Sequence, residues 1–109
     1  MTMSSQFSIT EQIIAECRDD YVGLWSIVRR IRNAGMSENV KAIETTLALL
    51  TELLTQRRII VGQFVDHEFR EWKMNPEEVV VKIQREWTEL GRDPNIGEIA
   101  WFVAARGLQ

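Results

Sequence analysis

Residues 86–104 read EWTELGRDPNIGEIAWFVA, and the way this stretch folds decides whether the chain ends in helices or returns to a sheet. A helix should close at Gly91, because glycine accepts the left-handed conformation that stops one, and Pro94 suits the first turn of the next. Ile96, Ile99, Ala100 and Val103 then recur at near-helical spacing, which predicts a second helix over about 94–105 laid on the core. A short strand at 98–103 is the alternative.

Working outward, Asn75-Pro76-Glu77-Glu78 carries an N-cap, a proline at the first helical position and a glutamate at the third, a capping box. The stripe Val79, Val80, Ile83, Trp87 and Leu90 continues it as a helix up to Gly91. Before it, Ile59-Ile60-Val61-Gly62-Gln63-Phe64 is β-branched, Val65-Asp66-His67 is polar enough to turn, and Glu68 to Trp72 alternates polar and aromatic residues. Together these predict a β-hairpin.

Further upstream, Val40, Ile43, Leu47, Leu50 and Leu54 recur at steps of three and four, predicting a helix over about 38–57 with Ser37 as its cap. Residues 25–33 form another helix, preceded by a stub of extended chain at 21–24. The first helix is read over about 9–18, opened by the S-x-x-E capping box of Ser8 and Glu11, with residues 1–7 disordered. The fold class is mainly α with a small β-hairpin (α+β), a single domain over 8–109.

A chain of 109 residues buries roughly two thirds of its unfolded surface without disulfides or metal, and 45% hydrophobic with 27% charged residues is ordinary for a globular domain. Cys17 is the only cysteine, so no internal disulfide is expected, and the opening residues lack the pattern of a secretory signal. No apolar run reaches spanning length; a cytoplasmic location with no membrane partner is expected. The net charge of -3 is spread, with no segment forming a basic block. A phosphate-binding footprint therefore requires Arg29, Arg30, Arg32, Arg57 and Arg58 to meet in space.

The order helix, short strand, helix, turn, longer helix, hairpin over residues 8–73 resembles the winged helix-turn-helix fold, with 21–24 as first strand and 59–72 as wing. In these terms 8–73 is a winged-helix-like core and 74–109 a C-terminal helical extension. With the signature W-x-x-L-G-R-x-P-x-x-G-E-I-x-W-F from Trp87 to Phe102, the chain also resembles a group of small bacterial proteins, a likeness that implies no catalytic residues. Residues 89–100, ELGRDPNIGEIA, are similar to a segment of bacterial primary sigma factors. There a second helix leads to a polar recognition helix, whereas here the continuation is Trp101-Phe102-Val103-Ala104.

The winged resemblance makes residues 38–57 the candidate reader of DNA, with Arg29, Arg30, Arg32, Asn39, Lys41, Thr45, Arg57 and Arg58 as candidate contacts. Against this, Glu38, Glu44 and Glu52 outnumber Lys41 on that element, and the three arginines at 29–32 are better explained as a solvated helix end that complements the dipole. His67 has no second histidine and Cys17 no second cysteine to complete a metal set, and no Gly-Lys-Ser/Thr follows the glycines at 91 and 97. No enzymatic activity, cofactor or metal is expected. Four tryptophans remain: Trp87 belongs to a core stripe, while Phe69, Trp72, Trp101 and Phe102 are the candidate protein interface. The expected role is protein–protein interaction with itself or another chain; DNA-binding regulation is the alternative, and a small immunity or adaptor protein masking a basic partner the third.

Overall fold

Backbone pairing places the end of the quoted stretch, residues 101–104, inside a sheet. The computed structural model describes residues 5–105, in the order α1 (Ser5–Asp19), β1 (Val22–Gly23), α2 (Leu24–Asn33), α3 (Asn39–Thr55), β2 (Ile59–Val65), β3 (Glu68–Glu71), α4 (Pro76–Leu90) and β4 (Trp101–Ala104). The result is an α+β domain of four helices and one antiparallel four-stranded sheet in the order β1-β4-β2-β3. The last strand in sequence is thus central: Phe102 faces Val22 on one side and Val61 on the other.

The helix expected over 94–105 is therefore corrected to a turn followed by a strand. Gly97 and Ile99 both take positive φ (84° and 71°), which no right-handed helix accommodates. The turn is closed instead by Glu98, whose carboxylate accepts from Asn95 N (2.7 Å) and pairs with Arg92. Beyond it the chain enters the slot between β1 and β2, where Ala100 O accepts from Leu24 N and Ala105 N donates to Arg58 O, both at 3.0 Å. A strand here also pairs the facing edges of β1 and β2, whose backbone groups a helix laid on the core would leave without these partners. The hairpin is correspondingly part of a four-stranded sheet, and among the described residues the stretch 74–105 holds one helix, a turn and a strand in place of the expected helical extension.

The hairpin itself lies where the alternation put it. Asp66 and His67, at φ 53° and 69°, form the two-residue turn whose twist suits antiparallel strands. Helix α4 has its full set of end signals: Asn75 Oδ1 accepts from Glu78 N (2.9 Å), Glu78 Oε1 accepts from Asn75 N (3.1 Å), and Gly91 stops the helix at φ 71°. Two other starts are corrected. Helix α1 begins at Ser5, so Ser8 lies within it rather than at its cap, and of the expected disordered 1–7 only 1–4 fall outside the described residues. Helix α3 is capped by Glu38, not Ser37, without a side-chain cap bond.

The core lies between the helices and one face of the sheet. Ile13, Ile14 and Cys17 of α1, Leu24, Ile27 and Ile31 of α2, and Leu50 and Leu53 of α3 are buried with Val61 and Phe102. Helix α4 adds Val79, Ile83 and Trp87 and packs along α3. Because α4 takes one flank of α3, what remains open is its first turn, Asn39 and Val40, and the stripe Lys41, Glu44, Ala48, Glu52 and Thr55. No described helix is long and apolar enough to cross a membrane.

Candidate protein interface

Side chains alternate along a strand, and paired residues share a face. The registers place Val22, Phe102, Ala104, Ile59 and Val61 toward the helices, and Gly23, Trp101, Val103, Ile60, Gly62, Phe64 and Phe69 on the opposite face. This rule separates the four aromatic residues singled out from sequence. Phe69 and Trp101 belong to the outer face and are half-buried. Phe102 is fully buried, so it is no interface residue; strand alternation, hidden by the helical reading, turns it inward.

Trp72 is half-buried on the helix side, where its amide donates to Val61 O (2.9 Å) and its indole to Gln63 Oε1 (3.3 Å). The Lys82 ammonium lies 4.9 Å from its ring centroid. Trp72 is thus bound up with α4 and does not join Phe69 and Trp101.

Two rings that the sequence reading missed complete the outer face. Tyr21 lies 4.9 Å, centroid to centroid, from both Phe64 and Phe69, while Phe64 lies 5.7 Å from Phe69 and 5.4 Å from Trp101. Three of these four contacts are edge-on, the arrangement favoured by the ring quadrupoles. Tyr21 and Phe64 keep 39% and 40% of their surface exposed, so the cluster is assembled yet open to solvent. Among the described residues no helix lies over it.

Two glycines let the rings sit close to the sheet. A Cβ on Gly62 would come within 2.3 Å of the Arg70 carbonyl oxygen and 2.8 Å of the Phe69 ring, and one on Gly23 within 2.6 Å of the Trp25 ring. The period-two pattern of β2 already placed Phe64 beside Ile60 and Gly62, a signal available from sequence. Tyr21 and Trp25 had no such signal, because only the pairing of β1 with β4 brings them to this face.

The candidate nucleic-acid contacts are spread out. Arg30 turns to α1, donating to Gln12 Oε1 (2.8 Å) and pairing with Glu16. Arg32 points the other way, with a two-pronged bond to Asp93 (2.6 and 3.0 Å) and further bonds to Ser37 O and Asn39 Oδ1. It ties the end of α2 to the start of α3 and the turn before β4. Arg29 stacks on Trp25 at 5.1 Å. Lys41 is exposed and Thr45 half-buried on α3, while Arg57 and Arg58 follow its C-terminus, about 25 Å from Asn39 at 1.5 Å per residue. Among the described side-chain hydrogen bonds, the one that joins two members of the set is Arg32 to Asn39.

Burial pushes the Cys17 thiol up to about 12, with Glu16 adding to the effect, so it is a packing group rather than a nucleophile. Glu98 is held down to about 2, first by its hydrogen bonds with Arg92 and then by the Asn95 amide, which makes it a fastener of the turn. Comparison with protein-family models, curated proteins and solved structures finds no significant match.

Proposed function

We propose that this chain is a non-enzymatic, winged-helix-like module that binds a protein partner through the outer face of its sheet. The observation that carries the reading is the open cluster of Tyr21, Phe64, Phe69 and Trp101. Large rings held in place by their neighbours lose little conformational freedom on binding, and aromatic anchors of this kind supply most of the energy at protein interfaces. The order of α1, β1, α2, α3 and the β2–β3 hairpin supports the winged-helix likeness, with β4 as an additional strand between β1 and β2.

DNA binding is the second reading, resting on the open stripe of α3. That stripe sets Glu44 and Glu52 against Lys41 alone, a poor match for phosphate, and Arg30 and Arg32 are engaged within the fold. The test compares Tyr21→Ser/Phe64→Ser with Lys41→Ala in affinity capture and in light scattering for self-association, with circular dichroism as a check on folding. A ring at the centre of an interface is worth about 2 kcal/mol, roughly 30-fold in Kd. The aromatic variant should lose its partner and the Lys41 variant keep it; the reverse, or loss of duplex binding in the Lys41 variant alone, would transfer the function to α3.

A further inference from the structure

The aromatic face ends in a hollow of about 340 Å³ at the junction of α1, β1 and the turn before β4. Its walls include Tyr21, Trp25 and Trp101, its rim includes Asp19 and Asp20, and among the described residues no lysine or arginine lines it. Glu16, the third carboxylate there, is already paired with Arg30. Asp20 accepts from the Tyr21 amide (2.7 Å), a bond that leaves its charge in place. Among the described residues neither Asp19 nor Asp20 has an ion-pair partner.

The placement of these two carboxylates runs against local stability. Asp19 is the last residue of α1 and Asp20 the next, at the negative pole of the helix, where acidic groups are disfavoured and a cation is attracted. Arg18 shares that turn and Arg29 stacks on Trp25, but neither lines the hollow. Ring faces, unpaired carboxylates and a helix C-terminus all draw the same kind of ligand group. Resting on the reading of the sheet face as a protein-binding surface, we infer that the partner is a basic segment. Its apolar residues lie across Phe64 and Phe69, and an arginine or lysine side chain enters the hollow between Trp25 and Trp101 beside Asp19 and Asp20.

The test is an NMR titration of the full chain with acetyl-Arg-Val-Arg-Val-Arg-amide and with its glutamate counterpart, following the indole signals of Trp25 and Trp101. The basic peptide should shift both indoles saturably and more weakly at high salt, the acidic peptide should shift neither, and Asp19→Asn/Asp20→Asn should weaken binding threefold or more. Both substitutions are at exposed positions, so the variant is expected to fold. Equal binding of the two peptides, shifts confined to other tryptophans, or an unchanged affinity in the double variant would overturn the inference. If the basic peptide fails while Tyr21→Ser/Phe64→Ser still abolishes capture of a protein, the basic-segment inference fails and the interface stands. If the peptide binds the hollow while that variant captures as well as the native chain, the wider interface reading fails instead.

Discussion

Alanine substitution along β4 separates a strand in the centre of the sheet from a helix laid on the core. Phe102 has no exposed surface and sits between Val22 and Val61. Truncating it removes about 1.5–3 kcal/mol of burial, and the cavity left in a close-packed core raises the loss to about 3–5 kcal/mol. For 109 residues the whole stability is roughly 5–15 kcal/mol, so this one change consumes a large share of it. Val103 is half-buried on the outer face, and losing two methyl groups at about 0.8 kcal/mol each when fully buried should cost below about 1 kcal/mol. A helix over 94–105 gives the opposite order, since Val103 would share the inward stripe with Ile96, Ile99 and Ala100. Urea unfolding followed by tryptophan fluorescence measures both: Phe102→Ala should lower the midpoint by more than about 1 M with Val103→Ala close to native. A larger loss at Val103 than at Phe102 would refute the strand.

Other perturbations test the supporting contacts. Because Glu98 is lowered from 4.5 to about 2, its contribution is complete above pH 4.5 and disappears as the pH falls toward 2. Urea midpoints of Glu98→Gln should therefore depend less on pH across that window than those of the native chain, and parallel curves would contradict the assignment. Gly62→Ala drives a methyl group against the Arg70 carbonyl, so the hairpin must shift, at a cost of about 1–3 kcal/mol, and changed NMR shifts should reach the Phe69 ring. Asn75→Ala removes the capping box of α4 and should cost about 1 kcal/mol in thermal or urea unfolding. Native Cys17 should react with a thiol reagent at pH 8 only at the rate of opening, since it is buried and its thiol is raised to about 12; immediate labelling would show otherwise.

What was legible in the sequence was local. The end signals of α4 are side-chain and backbone chemistry within four residues, and Asn75, Glu78 and Gly91 perform them as read. The turn at Asp66 and His67 and the existence of α3 were likewise carried by short-range pattern. Of the stripe read for α3, however, only Leu47 and Leu50 are buried, Ile43 and Leu54 are half-buried and Val40 is exposed, because the packed face turns Ala42, Thr46, Leu49 and Leu53 inward. The C-terminal stretch was ambiguous because Ile99 to Val103 is a short apolar run that suits helix or strand, and its fate depends on the slot between β1 and β2, nearly 40 residues or more away in sequence. Ile99 at positive φ is a conformation that no reading of propensity would assign to a β-branched residue. The same non-local pairing explains the partial view of the candidate interface. Phe69 and Trp101 were named, Trp72 and Phe102 were grouped with them despite opposite faces, Phe64 was passed over although the alternation of β2 placed it, and Tyr21 and Trp25 joined only once the strands were aligned.

On the proposed function, the outer face of the sheet meets the partner and α3 does not. Placing a photo-activatable benzoylphenylalanine at Phe64 and, in a separate chain, at Ala48 on the open stripe of α3 tests it most directly, since both positions are exposed. After irradiation in cells, position 64 should give a discrete protein adduct that is lost on adding Tyr21→Ser, and position 48 should give none. A nucleic-acid or protein adduct from position 48 with none from position 64 would contradict it.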